Sequence, residues 1–232
     1  MFLVKTLSVV IPALNEEEAI QCVIKAVPKK ELESLGYDTQ VLVIDNGSTD
    51  ETSKLAKEAG ADVIFEPQRG YGRAYKTGFA EAKGDIIATA DADLTYPVEI
   101  IPQLVKMLDK EGLDFITTNR LDGLSSPDLM CLRNKIGNGI LNLTCRMLYG
   151  LNLQDSQSGM WVFRENLFGD LILKSDQMPF SEELKIESFY YKKCKWIELP
   201  IEYRKRIGQV KLRGWRDGFH NWYYMIKKRV VR

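Results

Sequence analysis

The chain has 232 residues, 45% hydrophobic and 28% charged, enough for one domain of ordinary size with a sizeable core. Lysine plus arginine (32) equals aspartate plus glutamate (32), so the overall balance is silent about partners. Four cysteines without CxxC spacing argue against a disulfide framework, and the single histidine, His220, argues against a Ser-His-Asp triad or a zinc site.

Leu7–Ile11 is a short β-branched run and predicts the first strand. Pro12 and an acidic run follow at once, so the N-terminus lacks the shape of a signal peptide. Glu16–Val27 predicts a helix, Val41–Ile44 a strand and Glu51–Ala59 a second helix. Asp62–Phe65, Asp85–Ala90 and Asp114–Thr118 predict further strands, with helices over Gly72–Ala82 and Val98–Leu108 between them. Such alternation predicts an α/β domain with a mostly parallel central sheet flanked by helices. Beyond it, Arg133–Tyr149 reads as a helix, Gly159–Phe163 as a strand, Glu182–Tyr191 as a helix, Trp196–Tyr203 as a last strand and Gly214–Val231 as a terminal helix. No stretch is long and apolar enough to span a bilayer.

Ligands of such sheets sit beyond the carboxyl ends of the strands, so the residues just after each strand are the candidates for chemistry. Those are Pro12-Ala-Leu-Asn15-Glu16, Asp45-Asn46-Gly47-Ser48-Thr49-Asp50, Arg69-Gly70-Tyr71-Gly72-Arg73 and Asp91-Ala92-Asp93. Singly each has a plain structural reading; Asp50, for instance, suits a helix N-cap. Jointly they project to one edge. Asp91 and Asp93 lie two apart on an extended segment and point the same way, where their charges repel unless a hard cation such as Mg²⁺ or Mn²⁺ separates them. Such an ion also grips a diphosphate.

The run Ser8-Val-Val-Ile-Pro-Ala-Leu-Asn-Glu, the Ile44–Asp50 loop and Asp91-Ala-Asp93 resemble the family 2 glycosyltransferases with the A-type nucleotide-sugar fold. Asp155-Ser-Gln-Ser-Gly159, Phe180-Ser-Glu-Glu183 and Arg206-Ile-Gly-Gln-Val-Lys211 extend the likeness to the polyprenyl-phosphate hexose synthases, the dolichyl-phosphate mannose and glucose synthases among them. The resemblance implies a Rossmann-like catalytic domain over 1–205 and a basic, aromatic loop and helix over 206–232. It implies that Pro12, Asn15, Glu16, Asp45 and Asp91 bind the nucleotide and that Asp91 and Asp93 hold the metal. Arg206 and Lys211 would close over the diphosphate or the acceptor phosphate, and Arg120 and Arg133 would meet the acceptor phosphate. Glu183 matches an acidic position near the sugar, so Asp93, Glu183 and Arg206 form the expected catalytic set. Leu14 stands where relatives often carry Tyr, and Thr95 where some carry a Gln metal ligand.

The activity so implied is inverting transfer of a hexose from a nucleotide sugar (GDP-mannose, UDP-glucose or UDP-GlcNAc) to a polyprenyl phosphate, feeding glycosylation. The competing readings are transfer to a sugar hydroxyl, with Glu183 or Asp155 as base, nucleotidyl transfer, and a non-catalytic nucleotide-sugar-binding subunit. No nucleic acid is expected. A lipid acceptor implies a cytoplasmic protein peripheral on a membrane, held by its surface or by a partner subunit. From Arg204 onward ten cations face one acid, Asp217. Trp215, Phe219, Trp222, Met225 or Ile226, and Val230 recur at helical spacing, predicting an apolar stripe for an anionic membrane, for the protein's own core or for a second subunit.

Overall fold

The structure is a computed structural model that describes residues 5–122, 129–209 and 214–231. Lys211 lies outside them, and so does the side chain of Trp215. The described residues build one seven-stranded sheet from β1 (Lys5–Ala13), β2 (Tyr37–Asp45), β3 (Asp62–Phe65), β4 (Ile86–Thr89), β5 (Phe115–Asn119), β6 (Trp161–Arg164) and β7 (Trp196–Pro200). Their spatial order is β3-β2-β1-β4-β6-β5-β7. Every neighbouring pair is parallel except those of β6, which runs antiparallel to both β4 and β5.

Period-two alternation sends successive residues to opposite faces, and each face buries its own core. Leu7, Val9 and Ile11 of β1 join Val41, Val43 and Ala88 on one face. There they pack on α1 (Ile20–Ala26), α3 (Thr52–Glu58) and α5 (Ile101–Lys110), through Ile20, Val23, Ala56, Leu104 and Leu108. Val10, Leu42, Ile44 and Ile87 face the other way, with Phe115, Trp161 and Phe163. That side is covered by α4 (Tyr71–Glu81), α6 (Leu132–Tyr149), α7 (Phe180–Lys185) and α8 (Gly214–Val230). The predicted helix Glu182–Tyr191 is observed as α7 running into a π-helical turn, Ile186–Tyr191. The short α2 (Lys29–Ser34) has no predicted counterpart.

The stripe expected along α8 is divided rather than continuous. Met225 is fully buried in the second core, and its carbonyl accepts the Tyr149 hydroxyl at 2.7 Å. Phe219, Trp222 and Val230 remain exposed. Lys228 anchors the buried face: its ammonium pairs with Glu183 at 2.8 Å and Glu187 at 2.7 Å, all three buried. Among the described residues no helix is long and apolar enough to cross a membrane.

Candidate active site

Parallel strands deliver their carboxyl ends to one edge, and the antiparallel β6 delivers its amino end there too. The loops after β1, β2, β4 and β5 therefore meet the Asp155–Gly159 segment that precedes β6. Ala13 pairs with Asp45 in the β1–β2 ladder, which sets the first two loops side by side. Asn15 adopts φ +50° and fastens them: its amide donates to Ser48 Oγ at 3.0 Å and its Oδ1 accepts the Thr49 amide at 2.8 Å. Asp45 is buried and spends its carboxylate inside its own loop, accepting from the Ser48 amide at 2.8 Å and the Ser53 hydroxyl.

The first cavity, about 690 Å³, is lined by Pro12, Leu14, Glu16, Asn46, Arg69, Asp91 and Asp93, among others. Asn46, rather than its neighbour Asp45, stands at its wall. Its side chain donates to the carbonyls of Glu66 and Gln68 and accepts the Gly70 amide at 2.7 Å, drawing the 69–70 loop to the rim. Gly70 is required there. A Cβ on it would lie 2.1 Å from the Asp176 carbonyl oxygen, at a φ of +156° that suits glycine alone.

At the cavity floor stand three carboxylates and one guanidinium. Asp93 is buried; its Oδ1 accepts the Thr95 amide at 3.0 Å and hydroxyl at 2.5 Å. Its Oδ2 pairs with Arg206 Nη1 at 2.9 Å, and Arg206 Nη2 reaches Glu16 Oε1 at 3.0 Å. Burial and then the Asp93 charge push Asp91 up to about 7, with Arg206 and Arg120 pulling the other way. Among the described residues Arg206 bridges Asp93 and Glu16. These hard oxygens fit a divalent ion that completes its shell with water and diphosphate oxygens. Among the described residues no group of three or more acids, histidines or cysteines is placed to hold a metal ion together. Thr95 is occupied in orienting Asp93.

A second cavity, about 470 Å³, adjoins the first and shares with it Tyr71, Asp91, Met178, Arg206 and Asp217. Arg120, Arg133, Tyr96, Gln157, Asn221 and Trp222 also line it. Arg120 follows β5 and clamps Asp155 with Nε at 2.7 Å and Nη2 at 2.8 Å, over the Tyr203 ring. Burial opposes ionisation of Asp155, but the Arg120 charge and hydrogen bonds outweigh it and hold the carboxyl below its ordinary value. Arg133 opens α6 as an exposed side chain beside Gly214. The expected Arg120, Arg133 and Arg206 thus border one space.

Glu183, expected beside the sugar, is packed away from both cavities. It lines neither cavity and is fully buried. It accepts the Lys174 and Ser175 amides at 3.0 and 2.7 Å, the Tyr224 hydroxyl at 2.6 Å and the Lys228 ammonium. Its neighbour Glu182 lies nearer: buried, pushed up to about 8 by burial, and bonded to the cavity residue Gln157. Adjacent glutamates on a short helix look alike in sequence; only packing separates them.

The family model described as "Glycosyl transferase family 2" matches residues 8–172. The chain is 37% identical over 222 residues to the low-salt glycan biosynthesis hexosyltransferase Agl6 of Haloferax volcanii, spanning 95% of this chain but only 53% of that protein. It is 30% identical over 206 residues to a dolichyl-phosphate hexose transferase of the same organism, covering 89% of this chain and 86% of that one. Among solved structures, glucosyl-3-phosphoglycerate synthase from Mycobacterium tuberculosis, in complex with Mn²⁺, UDP and phosphoglyceric acid, superposes with a TM-score of 0.75 at 22% identity, over 98% of this chain and 79% of that one. That likeness is one of fold.

Proposed function

We infer that this chain, which belongs to glycosyltransferase family 2, moves a hexose from a nucleotide sugar to a polyprenyl phosphate. The observation that carries the reading is the pair of cavities meeting at Asp91 and Arg206, one walled by strand-end carboxylates and the other by Arg120 and Arg133. The donor would occupy the first, between Pro12, Glu16 and Asn46, with its diphosphate towards Asp93. A divalent cation on Asp91 and Asp93 would supply Lewis-acid neutralisation of the departing diphosphate. Arg206 adds a second positive charge there. In the second cavity the forked guanidinium of Arg133 suits a phosphate, and Arg120 lines the same space.

A phosphomonoester has a second pKa of about 6, so its oxygen is already anionic near neutrality and needs aiming more than deprotonation. Attack from the second cavity on a sugar held in the first inverts the anomeric centre. The two carboxylates expected to serve a hydroxyl acceptor as base, Asp155 and Glu183, are both engaged in buried pairs, which favours the phosphate reading. The relatives named for dolichyl-phosphate and undecaprenyl-phosphate transfer support the same acceptor class.

A lipid acceptor asks for a membrane-facing side. On α6, Leu132, Ile136, Ile140, Leu143 and Met147 recur at helical spacing and are all exposed. Ile140 also borders the second cavity, as do the exposed Phe219 and Trp222 of α8. Arg133, Lys135, Arg146, Lys227 and Arg229 flank these side chains, and α6 carries no acid. Apolar and cationic residues together fit an anionic lipid surface. Incubation with labelled nucleotide sugars and a polyprenyl phosphate tests the function: the reading requires a labelled lipid, and its absence with every donor overturns it.

A further inference from the structure

Lys185 ends α7 and is fully buried, although its setting, Glu-Glu-Leu-Lys, has the composition of a solvated helix face. Its ammonium donates to three backbone carbonyls of one loop: Asp155 at 3.1 Å, Ser156 at 2.8 Å and Ser158 at 2.9 Å. Those bonds use every N–H the group has. The Trp161 ring lies 5.9 Å from the Nζ, and its indole N–H also reaches the Ser158 carbonyl. The loop is gripped from its other side as well. Glu198 accepts the Gln154 and Asp155 amides at 2.7 and 2.9 Å, and Asn142 accepts the Ser156 amide at 2.9 Å. Three carbonyl dipoles converging on one buried point repel unless a cation lies there.

The loop carries much of the second cavity. Asp155 clamps Arg120, and Gln157 lines the space and accepts from Asn221 at 2.8 Å. Gly159 lies beneath Asp91: a Cβ there would be 2.5 Å from the Tyr71 hydroxyl and 3.6 Å from Asp91 Oδ1.

We propose that Lys185 is a positioning residue for the acceptor: its charge fixes the Asp155–Gly159 loop and, through it, the Arg120 guanidinium and the Gln157 side chain, without touching substrate. The kinetic consequence rests on the transferase reading, whereas the effect on the loop does not. Burial brings Lys185 down to about 8. The groups facing it are Asp155 on the loop and Glu198 on β7, which oppose that change, Arg120 after β5, which adds to it, Glu182 on its own helix, and Cys145 on α6. Lys185 is therefore charged below about pH 8 and neutral above it, and acceptor binding weakens as pH rises through that value. Glu182 gains its charge over the same range and has to be separated.

The test measures acceptor KM, donor KM and kcat from about pH 6 to 10 for the wild type, Lys185→Met, Lys185→Arg and Glu182→Gln. Amide hydrogen exchange of residues 154–159 is followed in each at one pH. Lys185→Met is expected to raise acceptor KM by about 10- to 100-fold at neutral pH with donor KM unchanged, since small misplacements of aiming groups have effects of that size. The alkaline rise in acceptor KM persists in Glu182→Gln and disappears in Lys185→Arg, which keeps its charge. Exchange across 154–159 accelerates in Lys185→Met alone. If Lys185→Met does not fold, the wild-type and Glu182→Gln pH profiles decide. A wild-type acceptor KM that is flat to high pH, an alkaline rise abolished by Glu182→Gln, or equal losses of donor and acceptor binding in Lys185→Met overturns the proposal. If no polyprenyl phosphate is glycosylated at all, the transferase reading fails, and unchanged exchange in Lys185→Met still separately overturns the loop assignment.

Discussion

Asp93 is held by the Thr95 amide and hydroxyl and by Arg206, so its carboxylate is aimed before any ligand arrives. Asp93→Asn keeps the shape and removes the charge; it is expected to lower kcat by about 10²- to 10³-fold, the usual cost of losing a preorganised charge-stabilising group, with the circular dichroism spectrum unchanged. Asp91 makes a pH prediction. Its folded pKa, about 7, lies above its ordinary value of 3.8, so the folded state binds the extra proton between those values. Asp91 therefore disfavours folding progressively as pH rises through that window. Asp91→Asn should gain melting temperature over the wild type as pH climbs from about 4 to 7, and Mn²⁺ should raise the melting temperature of the wild type but not of the variant. The two arginines separate in the same way. Arg120→Ala strands buried Asp155 and is expected to cost about 3–5 kcal/mol of stability. Arg133→Ala, at an exposed position, should raise acceptor KM with little change in denaturation midpoint.

Elements bring these residues together, and α8 illustrates how. Lys228 on α8 pairs with Glu183 on α7 and Glu187 in the π-helical turn, tying the terminal helix to the second core. Lys228→Ala leaves two buried carboxylates uncompensated and is expected to cost about 3–5 kcal/mol in chemical denaturation. Glu183→Gln should likewise lose stability while its folded fraction keeps kcat; a collapse of kcat at full stability would return Glu183 to the catalytic set. This pairing explains why part of the site was legible in sequence and part was not. The strands announce themselves as short β-branched runs, and parallel order then dictates that Glu16, Asp91, Asp93 and Arg120 share an edge. Asp45 and Asn46 are neighbours in one turn, and which of them faces the cavity depends on the Ser48 and Ser53 donors folding back on Asp45. Lys185 and Lys228 read as surface cations because burial by distant helices leaves no local periodicity. The terminal-helix stripe reads as one surface, yet packing on α6 takes Met225 and leaves Phe219 and Trp222 outside.

At the scale of the molecule, the proposed function makes the sheet edge the reaction space and α6 with α8 the side that would meet the lipid. On that side α6 carries Arg133, Lys135 and Arg146 with no acid, and α8 adds the exposed Lys227 and Arg229. The intact protein is expected to cosediment with vesicles containing anionic lipid, to release in high salt, and to ignore neutral vesicles. Ile136→Glu with Leu143→Glu should abolish that binding without changing the melting temperature; a loss of self-association instead would assign the face to a second copy. The central claim is tested most directly by offering the wild-type protein, in detergent with Mn²⁺, a labelled nucleotide sugar and two acceptors side by side, a polyprenyl phosphate and a free oligosaccharide. The account predicts a labelled glycosyl lipid phosphate whose formation stops with chelator and with Asp93→Asn, and no labelled oligosaccharide. Label on the oligosaccharide with none on the lipid would contradict it.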